Sequence, residues 1–152
     1  MYELSYSLHI VGVALWIGAF IVVGLLLRSL AKSEEELKKH SLVIEKLRRM
    51  INWVVLPSGI VVMLTGVYMI LQFNRDTLPL YLKLMEEIGG VAILLTVIVV
   101  SLYSKKLKKK LQGIELKKDK SLTAITKMYT NFLFISTILS IVVVVIVAMR
   151  LA

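Results

Sequence analysis

Four long apolar blocks constrain this 152-residue chain more than any other feature. The blocks cover residues 5–28, 51–73, 80–103 and 131–150. Each is close to the ~20 apolar residues that cross ~30 Å of hydrocarbon as a helix. Hydrophobic residues make up 58% of the sequence, against about 45–50% in soluble domains. The sequence therefore predicts an all-α, integral membrane four-helix bundle that forms a single domain over residues 1–152.

Basic residues are concentrated in two of the three connections. Loop one (28–50) carries seven Lys and Arg residues and loop three (104–130) carries nine, whereas the segment before the first block carries none. The positive-inside rule then predicts cytoplasmic loops one and three, with the N-terminus, the middle loop and the C-terminus outside. Topology and anionic lipid headgroups account for the net charge of +9, so nucleic acid is not an expected partner. The expected location is the cell membrane, as a multi-pass protein in contact with the lipid bilayer.

One histidine lies within an apolar block, which makes it unusual among the side chains of this sequence. The chain contains no cysteine, which excludes disulfides, thiolate metal sites and cysteine nucleophiles. Its two histidines are His9, inside the first block, and His40, in the charged loop one, which we interpret as a surface residue. A histidine in a membrane span usually faces the bundle interior or a cavity. Neutral imidazole is also the commonest metal ligand, including to haem iron, so His9 is the leading candidate functional residue.

Two neighbours share the helical face of this histidine. At about 100° per residue, Gly12 and Trp16 fall close to the direction of His9. Gly12 lacks a side chain one turn away from the imidazole, and we expect it to leave room for a flat, broad ligand. Trp16 is expected to line the same space.

Polar residues from other blocks are predicted to reach the same membrane depth. Lys83, Glu86, Glu87 and Gly90 open the third block with i, i+3, i+4, i+7 spacing, which predicts one shared helical face. Arg150 ends the fourth block at the same level. Taken singly, these residues also have plain explanations: the two cations can extend to water, and the carboxylates suit the first turn of a helix. Their convergence in one layer is what favours a functional site.

A single membrane histidine limits the cofactors that fit. A zinc site needs three or four ligands, whereas haem needs one axial histidine, apolar walls, small residues and cations for its propionates. We therefore predict haem, with His9 as the metal ligand. Copper is the alternative, because methionine suits copper(I), although apolar packing explains most of the methionines. Those available are Met63, Met69, Met85 and Met149.

The haem interpretation gives each polar residue an expected role. Lys83 and Arg150 pair with propionates or an anionic substrate, and Glu86 or Glu87 moves or buffers a proton. The predicted function is membrane electron transfer or an oxidoreductase step, with a quinone, a porphyrin or a redox protein as the partner. Metal-ion transport and a purely structural subunit stay open as alternatives, and small residues on the helices are compatible with a homodimer.

Four short motifs also resemble a known superfamily. The first block has His9 followed by an apolar run and Trp16-Ile17-Gly18; MLTGVYMI stands at 63–70, YLKLM at 81–85, and Asn131 opens the fourth block. These motifs resemble the superfamily that contains the copper-resistance protein D membrane domain and the HemJ-type protoporphyrinogen oxidases. The resemblance covers most of the membrane portion and implies a four-helix bundle. In the HemJ branch it implies a haem-dependent membrane oxidoreductase, with bound b-type haem and an essential His and Lys that match His9 and Lys83.

Overall fold

Helices account for all the regular structure in residues 1–116 and 120–150, which are the residues that the computed structural model describes. They are α1 (Tyr2–Leu30), α2 (Glu34–Lys39), α3 (Ser41–Met50), α4 (Leu56–Ile70), α5 (Leu80–Leu84), α6 (Gly90–Leu111) and α7 (Leu122–Ala148). A π-helical turn at Ile51–Val55 joins α3 to α4, a second at Met85–Gly89 joins α5 to α6, and a 3-10 turn covers Arg75–Thr77. Of the basic residues of loop three, Lys117 and Lys118 lie outside the described part of the chain.

Four long helices result, and each is long and apolar enough to cross a membrane. They are the first (Tyr2–Leu30), the second (Ser41–Ile70), the third (Leu80–Leu111) and the fourth (Leu122–Ala148). The four predicted apolar helices are thus confirmed. In the bundle, α1 packs between α4 and α7, α7 packs against α6, and α4 meets the third long helix to complete a ring. The first and third long helices are therefore diagonal to each other.

The helices extend past the predicted blocks at the end of the bundle that carries loops one and three, which we call the basic end. The second long helix begins at Ser41, the third continues to Leu111, and the fourth begins at Leu122. Mean hydropathy falls in these extensions, but an apolar stripe continues along them. Ile44 and Ile125, for example, are fully buried, so packing stabilises the helices beyond the length that hydrocarbon requires.

The buried guanidinium of Arg48 joins α3 to α6 at the basic end. Arg48 is only 6% exposed, and its Nε and Nη2 donate to the two carboxylate oxygens of Glu45 at 2.8 and 2.6 Å. Its Nη1 donates to Ser104 Oγ on α6 at 2.9 Å. Arg49 donates to the same carboxylate at 3.0 Å from the exposed side. The guanidinium of Arg48 thus fixes the start of the second long helix against the third.

Local sequence accounts for two details of the second long helix and its connection. Ser33 accepts a hydrogen bond from the backbone N–H of Glu36 at 3.2 Å, as its capping-box spacing predicts. The π turn at Ile51–Val55 lies directly before Pro57. Proline lacks an N–H and its ring crowds the carbonyl four residues earlier, so the wider turn accommodates it within a continuous helix.

Large apolar side chains cover the outside of the bundle. Leu25, Leu64, Leu95 and Ile138, one from each long helix, are all more than half exposed. Soluble monomers rarely expose apolar patches of more than a few hundred Å². Contact with the lipid bilayer accounts for this surface, and the chain is a multi-pass membrane protein by its helix lengths and apolarity.

Candidate functional site

His9 is anchored on the second long helix by one of its two ring nitrogens. Nδ1 lies 2.9 Å from the backbone oxygen of Val62 and 3.2 Å from Thr65 Oγ1. A carbonyl oxygen can only accept, so Nδ1 carries the proton and donates it. The other nitrogen, Nε2, then keeps its lone pair, and no described residue forms a hydrogen bond with it. A histidine that donates from one nitrogen to a carbonyl and leaves the other free has the arrangement of a metal-ligating imidazole.

The Thr65-Gly66 dipeptide forms the surface of α4 on which this imidazole packs. The Thr65 hydroxyl donates to the carbonyl of Val61 at 2.7 Å, which leaves its lone pairs for the Nδ1–H of His9. A Cβ at Gly66 would lie 3.1 Å from His9 Cε1, tighter than ordinary contact. Glycine therefore lets the ring pack directly on the α4 backbone. The sequence shows Thr65 and Gly66 as adjacent small residues, but nothing in their pattern pairs them with the histidine.

A cavity of about 400 Å³ opens beside His9. All four long helices line it, and its length spans Tyr2 to Trp16 along the first, about 21 Å at 1.5 Å per residue. Most of its lining is aliphatic, and the residues that bring polar atoms are Tyr2, Tyr6, His9, Trp16, Glu86 and Ser140. Small-molecule and cofactor sites occupy about 300–1,000 Å³ and combine apolar walls with a few polar groups. The cavity falls within this class.

Trp16 lies where the cavity meets the tightly packed core of the basic end. Its side chain is 3% exposed and packs on Phe20 with ring centroids 4.6 Å apart. A Cβ at Gly59 would overlap the six-membered part of its indole. Within the described part of the chain, the indole Nε1 has no hydrogen-bond partner. The ring therefore closes one end of the cavity, as expected from its position on the His9 face.

Gly59→Ala tests this contact. We expect the added methyl to displace the indole of Trp16 and to lower the free energy of unfolding by about 1–3 kcal/mol, the usual cost of overpacking. Thermal and denaturant unfolding in detergent would measure the loss. Gly18→Ala is the matched control, because nothing lies within 4 Å of a Cβ at that position. Equal losses in the two variants would contradict the packing described.

The π turn at Met85–Gly89 separates the polar residues that open the third long helix. Glu86 and Gly90 line the cavity, whereas Lys83 and Glu87 are exposed outside the lining. The predicted shared face assumes 3.6 residues per turn, and the wider π turn changes that register. Glu86 Oε1 accepts a hydrogen bond from Arg75 Nη2 at 2.9 Å, so the carboxylate at the cavity carries a cationic partner.

Two other predicted residues lie outside the cavity lining. Gly12 is buried, and a Cβ there would lie 2.5 Å from Val62 Cγ2, so this glycine allows close packing of α1 on α4. It does not open space beside the imidazole. Arg150 is exposed just past the end of α7, with a positive φ of 47°, and it is outside the cavity lining. Gly90, by contrast, has open space around its Cβ position.

Sulfur donors also lie in the cavity wall. Met63, Met69 and Met85 all line it together with His9. Among the described residues, no group of three or more His, Cys, Asp or Glu side chains is placed to hold a metal ion. One imidazole and three thioethers thus border the cavity, and both groups are ligand types of haem iron and copper(I).

Comparisons with known proteins assign no family to the chain. No protein-family model matches it, and no curated protein and no solved structure matches it either. The chemistry of the site itself must therefore indicate what the protein does.

Proposed function

We propose that this protein binds b-type haem in the cavity through Nε2 of His9. Its role would be membrane electron transfer or an oxidoreductase step, with a quinone, a porphyrin or a redox protein as the partner. The observation that carries the proposal is the anchored imidazole, since Nδ1 is committed to Val62 O at 2.9 Å and Nε2 is left for a ligand bond. The half-buried ring also lines an apolar cavity, which packing alone does not require.

The residues around His9 fit a haem group. The cavity volume of about 400 Å³ is in the range of cofactor sites, and glycines at 66 and 90 remove side chains from its wall. Its lining is mostly aliphatic, which suits a macrocycle with apolar faces. The one carboxylate in the lining, Glu86, is paired with Arg75, so its charge is offset. The donor set and the walls both support haem.

The chain's own residues have distinct tasks in this proposal. Bound haem would supply a one-electron redox centre. Val62 and Thr65 orient the imidazole and fix its tautomer, and the apolar walls exclude water. Arg75 and the exposed Lys83 would offset the charge of the haem propionates, and Glu86 would hold or release a proton beside Arg75. Each task concerns binding, orientation or charge.

An optical spectrum tests the proposal directly. The full chain, purified in detergent after expression with added haem precursor, is expected to show a Soret band and reduced-minus-oxidised bands of b-type haem. The pyridine haemochrome assay would give about one haem per chain, since His9 is the one histidine that lines the cavity. A preparation that stays colourless after hemin is added would show that the proposal is wrong.

Copper is a second candidate because one observation favours it. The thioethers of Met63, Met69 and Met85 line the same cavity as the imidazole, and thioethers select copper(I). Metal analysis of the purified protein and titration with copper(I) against a competing chelator would test it. Stoichiometric copper without a Soret band would support copper handling in place of haem.

We also propose the orientation that the charges predict, with loops one and three in the cytoplasm. Because the chain has no cysteine, a single introduced thiol reports its own side of the membrane. Lys39→Cys, in loop one, should react with an impermeant maleimide in inside-out vesicles only. Gln72→Cys, in the middle loop, should react in right-side-out vesicles only. The reverse pattern would contradict the orientation, and the cysteine-free parent controls for background labelling.

A further inference from the structure

A haem iron that is bound by one imidazole can take a second axial ligand. Three methionines border the cavity that would contain the haem. Met63 and Met69 belong to α4, whereas Met85 begins the π turn of the third long helix. A methionine paired with histidine is an established haem ligand set, and it raises the reduction potential. We propose that the sulfur of Met85 is the second axial ligand, an inference that rests on the haem site proposed above.

The arrangement of the helices distinguishes Met85 from the other two methionines. The two axial ligands of a haem approach from opposite faces of the macrocycle. His9 extends from α1 and is anchored on α4 through Val62 and Thr65. The methionines at 63 and 69 belong to that same α4. The third long helix lies diagonally across the ring from α1, so a ligand from Met85 comes from the opposite wall.

The two ligands also lie at similar depth. The first and third long helices both begin at the end of the bundle opposite the basic end, where Tyr2 and Leu82 line the same cavity. His9 comes seven residues after the start of α1 and Met85 five residues after the start of α5. At 1.5 Å per residue these steps correspond to about 10 and 8 Å along the helices. Both residues therefore lie within about two helical turns of that end of the bundle.

The surroundings of Met85 leave room for such a bond. Gly89 and Gly90 follow it in the cavity lining, and nothing lies within 4 Å of a Cβ at Gly90. A macrocycle could thus approach this wall. Met69 also lines the cavity, but its 7% exposure places it deeper in α4, on the helix that already anchors His9. Methionine is unbranched and flexible, and π turns occur frequently at functional sites, so the turn at Met85–Gly89 suits a side chain that must reach into a cavity.

Leucine substitution tests the assignment in the full-length, haem-loaded protein, because leucine keeps the volume and removes the sulfur. The wild type should show a low-spin ferric spectrum. Met85→Leu should keep haem but convert it to the high-spin form and lower its midpoint potential. Met149→Leu, the matched control outside the cavity lining, should leave spin state and potential unchanged. Met85→His should restore the low-spin spectrum with a lower potential than methionine gives. Spin state is read by electron paramagnetic resonance, and the potential by redox titration.

Each other outcome overturns the assignment in a recognisable way. A Met85→Leu protein that stays low-spin with an unchanged potential would exclude Met85 while leaving haem binding through His9 intact. Loss of the low-spin form in Met63→Leu or Met69→Leu would move the ligand to α4. A high-spin wild type would mean that no side chain occupies the second position. A wild type that takes up no hemin would refute the haem proposal itself, and this assignment with it.

Discussion

Replacing His9 by alanine is expected to remove the haem from the protein. In metal sites, loss of a residue that only orients a ligand lowers affinity about 10–100-fold. Loss of the ligand itself should cost more, and here no second histidine lines the cavity. We expect hemin affinity to fall at least 100-fold, and the Soret band of the purified protein to disappear. Hemin titration followed by absorbance would measure this effect.

Two controls separate ligand loss from misfolding in this experiment. His40→Ala removes the only other histidine, whose Nδ1 bonds locally to Glu36 O at 2.9 Å at the junction of α2 and α3. That variant should keep its colour. Added imidazole can enter the space that the alanine leaves and should restore a haem spectrum to His9→Ala. A His9→Ala protein with the wild-type spectrum would exclude His9 as the ligand.

Replacing Arg48 by alanine is expected to have the largest effect on stability. The change removes a buried guanidinium that donates three hydrogen bonds, two to Glu45 and one to Ser104. Hydrogen bonds to charged groups contribute about 1.5–3 kcal/mol, and breaking a buried pair typically costs about 3–5 kcal/mol. Since Glu45 keeps Arg49 as a partner, we expect a loss of about 2–3 kcal/mol. Thermal and denaturant unfolding in detergent would measure it.

Arg49→Ala provides the matched control for this prediction. Arg49 binds the same carboxylate at 3.0 Å, but its side chain is 68% exposed. Exposed ion pairs contribute about 0.2–1 kcal/mol, so the free energy of unfolding should change by less than about 1 kcal/mol. Equal losses for Arg48→Ala and Arg49→Ala would show that burial of the guanidinium does not stabilise the basic end. A larger loss for Arg48→Ala would confirm its role in joining α3 to α6.

Hydropathy located the long helices well but underestimated their length. The blocks end where charged residues begin, because hydrocarbon thickness limits how many apolar residues a span needs. Beyond that limit, a helix can continue if one stripe of its surface is buried. Ile44 and Leu107 form such stripes at the basic end and are fully buried there. The sequence contains these residues, but their burial depends on which helices meet.

The sequence indicated one residue of the candidate site, His9, but not the groups that His9 contacts. His9 is conspicuous because a titratable ring in an apolar block is costly. Its main partner is the backbone oxygen of Val62, and every residue has such an oxygen, so no side-chain pattern identifies it. The π turn at Met85–Gly89 likewise changed which polar residues face the cavity. Helical-wheel spacing cannot anticipate that change, because the wheel assumes one constant turn.

The sequence by itself determined four apolar helices, their approximate spans and a histidine in an unusual place. These follow from transfer free energies and residue spacing, which are local properties. Only the tertiary structure decided that Gly66 receives the imidazole, that Gly12 packs on Val62, and that a cavity remains beside His9. The physical reason is that close contacts and cavities depend on how separate helices approach each other, and this approach is set by the shape of the whole bundle.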